Sequence, residues 1–251
     1  MLDLERQQKI LALLIARNTI KMQDIIDETG ASESTIRRDL QKLERAGKLK
    51  RLHGGATILQ KKLDEPTIAE KTTKNSHEKH QIAKKAAEFV EDGDCIFLDA
   101  GTSTIEIIPY LKGKDVVVVT NGLMNIPLLM ELEVETHVIG GYVKSGTGAF
   151  IGRSAIKTLE TFRFDKAFLG VNGISINGDC TTPDPQEAFI KEYTIERSKQ
   201  SFLLADHSKF GEVSFSTFAK VEDVTVITSS LIEKEYSQEL IKHTNLEVVT
   251  L

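Results

Sequence analysis

Hydrophobic positions in the N-terminal part of the chain recur at helical spacing and predict three short amphipathic helices. The apolar positions are Leu4, Leu11, Leu14 and Ile15 in the first helix, Met22, Ile25 and Ile26 in the second, and Ile36, Leu40 and Leu43 in the third. Gly30 is expected to end the second helix, while Ser32 can cap the third and Gly47 can end it. A helix, a short helix, a tight turn and a further helix make up the helix-turn-helix plan.

The third predicted helix has a polar and basic face opposite its apolar stripe. That face holds Ser34, Arg38, Gln41, Lys42 and Arg45, and its flanks hold Thr35 and Arg37. A charged stripe on an isolated helix is most often a solvated surface. The helix-turn-helix context instead favours donation to DNA phosphates and base edges.

The residues after this helix predict a two-stranded basic wing. Lys48 to Arg51 supply the basic strand, and His53, Gly54 and Gly55 supply a turn whose glycines would allow close approach to the DNA backbone. The sequence thus predicts a winged helix-turn-helix. The residues expected to contact DNA are Ser32, Ser34, Thr35, Arg37, Arg38, Gln41, Lys42, Arg45, Lys50, Arg51 and His53.

The same stretch resembles the signature of the DeoR family of bacterial repressors. The resemblance lies in SESTIRRDL, in the pair Leu43 and Glu44, and in RLHGGA, and it covers residues 3–57. The rest of the chain resembles the family's effector domain. It implies a DNA-binding domain at 1–57, a linker at 58–75, and a domain at 76–251 for effector binding and oligomerisation.

The residues after the wing change character twice. Residues 57–75, TILQKKLDEPTIAEKTTKN, are polar, contain Pro66 and lack a clean period, which indicates a linker. Beyond about residue 76, predicted helices alternate with the short apolar runs CIFLD, VVVVT, THVIGG, KAFLG, SFLLAD and VTVITS. Alternation of this kind predicts a mainly parallel α/β domain.

The strand ends of this domain carry small, hydroxyl and charged residues. Carboxyl ends of parallel strands converge on one crevice, and a glycine with hydroxyl groups at a helix N-terminus suits a phosphate. By itself the GTST segment is better explained as an ordinary capped turn, but similar turns elsewhere weaken that explanation. The residues expected at the effector site are Asp99, Gly101, Thr102, Ser103, Thr104, Thr120, Asn121, Gly140, Gly141, Gly170, Asn172, Glu187, Lys191, Asp206 and Lys209.

The second domain resembles the sugar-phosphate-binding domain of the DeoR family, which is similar in fold to ribose-5-phosphate isomerase. That similarity raises the alternative of a sugar-phosphate isomerase, whose family carries acids in a DGADE motif. Here the corresponding residues 169–173 read LGVNG, so those acids are absent. Glu187 and Asp206 keep the enzyme alternative open, because an isomerase needs a carboxylate base.

Composition narrows the class of protein further. The chain of 251 residues has a net charge of -5, yet seven basic residues against three acidic ones fall between Ser32 and Ala56. Cys95 and Cys180 do not form a disulfide framework, and neither a signal peptide nor a membrane span is evident. We therefore expect a cytoplasmic protein without membrane association. No motif indicates a cofactor, and the spacing of His77 and His80 without further ligands does not indicate a metal.

Within the DeoR family, the stretches DGDCIFLDAGTST, GGYVKSGTGAFIG, FDKAFLGVNGIS, TTPDPQEA and LADHSKFGEVSFS look most like the fructose operon repressors. That resemblance implies fructose 1-phosphate as the inducer, with another phosphosugar or polyol phosphate as the alternative. A small winged helix makes few contacts, so we expect a homo-oligomer, a dimer or a tetramer, on double-stranded operator DNA.

Overall fold

A computed structural model describes residues 2–17, 19–52, 54–58, 63 and 65–251. The chain divides into an N-terminal unit, residues 1–61, and a C-terminal unit, residues 62–251. Among the described residues, no helix combines the length and the apolar character needed to cross a membrane.

The N-terminal unit is a winged helix-turn-helix, as the sequence predicts. Its elements are α1 (Asp3–Arg17), β1 (Thr19–Lys21), α2 (Met22–Thr29), α3 (Glu33–Arg45), β2 (Leu49–Leu52) and β3 (Gly55–Ile58). The strands form an antiparallel sheet in the order β1-β3-β2, with β2 and β3 as the wing. Gly47, at φ 64°, ends α3: its N–H donates to the Glu44 carbonyl, and the Lys48 N–H donates to that of Leu43.

The core of this unit confirms most of the predicted apolar stripes. Its buried members are Ile10, Leu14, Ile20, Ile25, Ile36, Leu40, Leu43, Leu49 and Ala56. Leu4 is an exception, with 68% of its surface exposed. The buried contact of that first turn is made by Arg6 instead, whose Nε donates to the buried Asp39 carboxylate at 2.5 Å. A buried ion pair therefore joins α1 to α3.

Gly55 differs from its expected role in approaching DNA. Its backbone is buried, and a Cβ at this position would lie 1.9 Å from the Ile20 carbonyl oxygen. Glycine is required here because β3 pairs closely with β1. The adjacent Gly54 is exposed, and a Cβ there would meet nothing within 4 Å.

The C-terminal unit contains a doubly covered parallel sheet. Its helices are α4 (Ile68–Thr73), α5 (Ser76–Ala87), α6 (Asn125–Glu131), α7 (Arg153–Leu159), α8 (Pro185–Glu196) and α9 (Lys234–Leu240), with 3-10 turns at Ile105–Leu111, His207–Lys209 and Val221–Asp223. Its strands are β4 (Cys95–Leu98), β5 (Val117–Thr120), β6 (Glu135–Val138), β7 (Tyr142–Val143), β8 (Phe150–Ile151), β9 (Phe164–Gly170), β10 (Gly173–Ile174), β11 (Asp179–Thr182), β12 (Ser198–Leu204), β13 (Ser216–Lys220), β14 (Thr225–Ser229) and β15 (Leu246–Val249).

Seven of the described strands form the parallel sheet, in the order β15-β14-β12-β9-β4-β5-β6. Successive side chains of each strand enter opposite cores. Phe97 of β4 belongs to one core, and its neighbours Ile96 and Leu98 belong to the other. The α/β class predicted from the sequence is therefore confirmed, while β15, the β7-β8 hairpin and the small sheet β10-β11-β13 are additions to it.

Residues 65–75 are more structured than the predicted linker. The Thr67 Oγ1 accepts from the Glu70 N–H, and the Glu70 carboxylate accepts from the Thr67 N–H, so a capping box starts α4. The Ile68 N–H donates to the Gly146 carbonyl at 3.2 Å, which attaches α4 to the C-terminal unit. Of the remaining predicted linker, residues 59–62 and 64 lie outside the described residues.

We predict that Gly55→Ala destabilises the N-terminal unit by about 2 kcal/mol, because the added methyl group forces β3 away from β1. Hydrogen exchange measures this as a fall in the protection of the α1 and α3 amides by roughly 30-fold. Gly54→Ala is the matched control and should leave that protection unchanged. Equal behaviour of the two variants would contradict the assigned role of Gly55.

Candidate functional site

The strand order creates a natural ligand crevice in the parallel sheet. From β4 the chain continues outward through β5 to β6, and it then returns to place β9 and β12 on the other side of β4. Ligands of open α/β sheets bind outside the carboxyl ends of the strands at such a reversal. The site is therefore expected where β4 and β9 end.

A buried ion pair lies at this point. Asp99 directly follows β4, and its Oδ2 accepts from the Gly170 N–H at 3.0 Å and from Lys191 Nζ. Lys191 Nζ also donates to the Gly170 carbonyl at 3.0 Å. Asp99 and Lys191 are only 2% and 4% exposed. The structure thus brings together three of the residues that the sequence predicts, from β4, β9 and α8.

A cluster of lysines lies beyond the end of β12. This lysine cluster consists of Lys71, Lys74, Lys79 and Lys209. Of these, the sequence predicts Lys209, whose Nζ lies 3.9 Å from the carboxylate of Asp206, a second predicted residue. Lys79 of α5, which the sequence analysis missed, is 4% exposed and donates to the Lys71 carbonyl. In the sequence Lys79 is one of several polar residues of α5, so only the packing reveals it.

Burial, together with the charges of Lys209 and Lys71, lowers the pKa of Lys79 to about 8. Burial and the nearby Lys74 and Lys71 also lower the pKa of Lys209. Each shift means that the folded protein disfavours the charged form of that lysine. A bound anion would relieve this cost, so the lysine cluster has the electrostatics of an anion site.

Asp206 stays ionised within this cluster. Burial alone would raise its pKa, but Lys209 and hydrogen bonds from Ser208 and Asn75 hold the pKa below its usual value. The Asn75 amide donates to Oδ1 at 2.9 Å, and the Ser208 N–H donates to the same oxygen at 3.0 Å. The carboxylate fixes the turn that carries Lys209.

Two of the predicted hydroxyl groups differ from expectation. Thr104 is fully buried, and its Oγ1 donates to the Asp99 carbonyl at 2.8 Å. Thr120 is also fully buried, and its Oγ1 donates to the Leu98 carbonyl at 2.6 Å. Because both hydroxyls are bonded to backbone carbonyls, their role is to fix the loops of the site. Gly101, Thr102 and Ser103, which lie between Asp99 and Thr104, are half-buried.

Asn121 is 1% exposed, and its Oδ1 accepts from the Ala100 N–H at 2.8 Å. The sequence analysis missed Asn125, whose Nδ2 donates to Thr120 Oγ1 at 2.9 Å and to the Asp99 carbonyl at 3.2 Å. These two amides join the end of β5 to the loop that follows β4. Asn125 thereby binds the Asp99 backbone directly, and Asn121 binds that of the next residue.

The remaining predicted residues have partners other than the ion pair. Gly140 and Gly141 follow β6, the edge strand, and a Cβ on Gly141 would lie 2.5 Å from the Ile151 carbonyl oxygen. Asn172 Oδ1 accepts from the Thr182 hydroxyl at 3.1 Å. Glu187 accepts from Thr147 Oγ1 at 2.7 Å and from Lys144 Nζ at 3.0 Å. Their local contacts account for these residues structurally.

The predicted DNA-binding residues form an exposed face of α3 and β2. Arg38, Gln41 and Arg45 are exposed, and among the described residues none of them is paired with a carboxylate. The other charged side chains are paired on the surface: Arg37 with Glu33, Arg51 with Glu44, and Lys42 with Asp3. Such exposed ion pairs contribute little to stability, so the basic side chains can leave their carboxylate partners for DNA phosphates.

Hydroxyl groups surround the start of α3. Ser32 Oγ lies 3.1 Å from Ser34 Oγ and 2.9 Å from Thr35 Oγ1, and it makes no hydrogen bond to the helix backbone. The Thr35 N–H donates to the Ser32 carbonyl at 2.9 Å, so the N–H groups of Glu33 and Ser34 are the ones at the start of α3 that can serve another acceptor. Lys50 is half-buried, and His53 lies outside the described residues.

Glu78 of α5 joins the lysine cluster to the sheet. Its Oε1 accepts from the His207 N–H at 2.7 Å and from Ser229 Oγ at 2.6 Å, and its Oε2 lies 2.7 Å from His207 Nδ1. Ligand atoms of Glu78, His207 and Asp206 lie within 4.8 Å of one another. Glu78 and His207 are bonded to each other, and Asp206 accepts from Asn75 and Ser208, so the group is better suited to positioning Lys209 than to holding a metal.

Family comparisons cover nearly the whole chain. Residues 6–62 match the family model described as the DeoR-like helix-turn-helix domain, and residues 74–230 match that of the DeoR C terminal sensor domain. The Bacillus subtilis (strain 168) protein named uncharacterized HTH-type transcriptional regulator FruR is 50% identical over 234 residues, which are 93% of each chain. The lactose phosphotransferase system repressor of Lactococcus lactis subsp. lactis is 37% identical over 96% of each chain.

Two more distant similarities extend this comparison. The HTH-type transcriptional regulator GlpR of Haloferax volcanii is 34% identical, over 96% of this chain and 95% of its own. Among solved structures, ribose 5-phosphate isomerase A from Methanocaldococcus jannaschii aligns with 54% of this chain and 55% of its own, with 18% identity and a TM-score of 0.42.

The contact between Glu78 and His207 predicts a pH-dependent stability. The hydrogen bond that His207 donates to the Glu78 carboxylate raises the pKa of His207 above 6.5. The stabilisation from this bond is therefore fully present below about pH 6.5 and is lost as the pH rises through the raised value. Burial raises the pKa of Glu78, but its bonds to His207 and Ser229 lower it below 4.5, so its contribution is lost only as the pH falls through that lowered value.

We therefore predict that His207→Gln lowers the melting temperature most between about pH 5 and pH 6.5, and progressively less toward pH 9. Thermal unfolding across this range measures the difference from the wild type. His77→Gln, at an exposed position of the same helix as Glu78, is the control and should run parallel to the wild type. A constant difference for His207→Gln at every pH would exclude its titration as the cause.

Proposed function

Because the chain belongs to the DeoR family of transcriptional regulators, we propose that it represses transcription by binding operator DNA and is released by a phosphorylated sugar. The N-terminal unit binds the DNA, and the C-terminal unit binds the effector. The observation that carries the effector part of this proposal is the group of lysines beyond β12, in which the buried Lys79 and the half-buried Lys209 lie close enough for each charge to lower the other's preference for the protonated form.

The exposed face of α3 supports the assignment of DNA contacts. Arg38, Gln41 and Arg45 project from the helix surface opposite the apolar stripe, and arginine and glutamine can donate to base edges in the major groove. The hydroxyls of Ser32, Ser34 and Thr35 lie at the helix N-terminus, where a backbone phosphate is favourable. The wing adds phosphate contacts through the exposed Arg51 and the half-buried Lys50.

We assign the effector phosphate to Lys79 and Lys209, with Lys71 and Lys74 adding to the positive field. The sugar hydroxyls then face Asp99 and Asn121 at the neighbouring strand ends. Adjacent strands lie about 4.8 Å apart, so the ends of β4 and β12, separated by β9, are roughly 10 Å apart. A small phosphorylated metabolite spans that distance.

We favour fructose 1-phosphate as the effector and a fructose utilisation operon as the target. The support is the resemblance to fructose operon repressors and the 50% identity to the Bacillus subtilis regulator named FruR. Another phosphosugar or a polyol phosphate is the alternative, since relatives at 34–37% identity include lactose phosphotransferase system repressors and GlpR. A homo-oligomer, dimer or tetramer, would supply the repeated contacts that one small winged helix lacks.

The carboxylates of the crevice are poorly suited to the isomerase alternative. A general base works best with a pKa close to the operating pH, whereas the pKa of Asp206 is lowered. Glu187 is bonded to Lys144 and Thr147, and Asp99 is paired with Lys191. The relatives compared above are likewise named as regulators or repressors.

We predict that Arg38→Ala weakens operator binding by about 10- to 100-fold, because a contact to DNA worth about 1–3 kcal/mol is lost. Binding is measured at fixed salt on the operator of the fructose operon. Arg153→Ala removes an exposed arginine from α7 and serves as the control. Unchanged affinity of Arg38→Ala would exclude this face of α3 as the DNA contact.

We predict that fructose 1-phosphate at about 100-fold its Kd stabilises the protein by about 2.7 kcal/mol, in a thermal-shift screen of sugar phosphates. Lys209→Met should abolish this shift and leave operator binding intact. Lys112→Met, at an exposed position away from the site, should retain the shift. A shift that survives Lys209→Met would place the phosphate elsewhere, and a response to a different sugar phosphate would reassign the effector.

A further inference from the structure

We infer that the strap, residues 65–75, closes on the lysine cluster when an effector binds, and that its Lys74 then donates to the effector phosphate. The strap contains α4 and leads directly into α5. This inference rests on the proposed function, because the anion is the effector phosphate. It adds a ligand to the site, and it makes the ordering of α4 part of the binding reaction.

The strap contacts Lys79, the most deeply buried lysine of the cluster. Lys79 Nζ donates to the Lys71 carbonyl of α4, and only 4% of Lys79 is exposed. An ammonium group has three N–H donors, so one bond to a carbonyl leaves two for an anion. Lys79 can therefore keep its bond to the strap while it donates to a phosphate.

The C-terminal end of the strap lies beside the other lysine of the site. The Asn75 amide donates to Asp206 Oδ1 at 2.9 Å, and Asp206 Oδ2 lies 3.9 Å from Lys209 Nζ. Asn75 has a left-handed backbone, with φ at 54°, and at this residue the chain turns from the strap into α5. Lys74 directly precedes this fixed residue, so its side chain starts next to the cluster.

Lys74 is available to a ligand. It is exposed, and no ion pair of Lys74 is found within the part of the chain that the structure describes. Lys71, by contrast, is half-buried and donates to Glu65 at 3.0 Å. Together with burial, the charge of Lys74 lowers the pKa of Lys209, so the two ammonium groups repel each other. A phosphate between them replaces this repulsion by attraction to both.

Closure requires only a small rearrangement of the strap. Its start is attached by the bond from the Ile68 N–H to the Gly146 carbonyl at 3.2 Å and by the ion pair of Glu65 with Lys144, and an anion leaves both intact. None of the residues of α4 is fully buried, so little apolar surface holds its last turn in place. That turn is expected to open and close in solution, and a bound anion favours the closed form.

The consequence for the proposed effector site is selectivity for the charge of the ligand. A sugar monophosphate carries a charge of about −1.5 to −2 at neutral pH, whereas the free sugar carries none. Only the phosphorylated sugar can attract Lys74 and close the strap. Closure thus distinguishes the phosphorylated metabolite from the sugar that precedes it.

Substitution of Lys74 tests its role as a ligand in the full-length protein. Lys74→Met should raise the Kd for fructose 1-phosphate by about 5- to 10-fold, because one charge-assisted hydrogen bond is lost. Inorganic phosphate, the second probe, should lose affinity by a similar factor. Lys84→Met removes an exposed lysine of α5 and is the control, with no expected change. A wild-type Kd for Lys74→Met would overturn the role of Lys74.

Hydrogen exchange tests closure itself. Saturating fructose 1-phosphate should slow the exchange of the amides of residues 70–76 by about 5-fold in the wild type. At equal saturation, this slowing should be smaller in Lys74→Met. Unchanged or faster exchange of these amides in the ligand-bound wild type would overturn the closure of the strap.

Thr67→Ala tests the contribution of α4 without touching the lysine cluster. It removes the capping box that starts the helix, so the closed strap becomes less favourable. The Kd for fructose 1-phosphate should therefore rise by about 5-fold. Thr161→Ala removes an exposed hydroxyl away from α4 and should leave the Kd unchanged. A wild-type Kd for Thr67→Ala would show that α4 has no part in effector binding.

The two proposals fail in different ways. If sugar phosphates bind and release DNA while Lys74→Met and Thr67→Ala bind them like the wild type, the role of the strap is wrong and the proposed function stands. If neither sugar phosphates nor inorganic phosphate bind to the protein, the proposed function is wrong. The inference on the strap is then wrong as well, because it requires that anion.

Discussion

The buried pair of Asp99 and Lys191 is the interaction on which the C-terminal unit depends. It joins β4, β9 and α8 where the strand order reverses, and the Asp99 carbonyl also accepts from Thr104 and Asn125. Loss of either partner would leave a buried charge uncompensated, at a cost of about 3–5 kcal/mol. Because the ion pair fixes the ends of β4 and β9, the loops that follow these strands keep one arrangement. In that arrangement their polar groups can bind a ligand.

Charge is distributed unevenly in a chain whose net charge is -5. In the N-terminal unit, basic side chains lie on an exposed surface, where solvent and salt screen their charges and surface carboxylates pair with some of them. In the C-terminal unit, the buried Lys79 and the half-buried Lys209 lie close together beyond the end of β12, and burial lowers the pKa of both. The first arrangement suits a long polyanion, and the second suits a small anion that can be enclosed.

The sequence predicts the elements whose side chains follow a strict period. The stripes of α1 to α3 and the apolar runs of β4, β5, β9, β12 and β14 were recognisable because tertiary packing requires them. By contrast, α4 has no apolar stripe, and β15 is a short edge strand, so neither has a periodic signal. Strand ends identified Asp99 and Lys209 by position, but no sequence pattern shows that Thr104 faces inward or that Lys79 is buried.

The ion pair between Arg6 and Asp39 has a consequence for how this regulator can diversify. The buried contacts of α3 lie on its inner side, where Asp39 and the apolar residues Ile36, Leu40 and Leu43 contact the rest of the unit. Its outer side chains contribute almost nothing to the stability of the fold. Substitutions there can alter which DNA sequence is preferred at little thermodynamic risk, so paralogues could acquire new target genes without first acquiring a new scaffold.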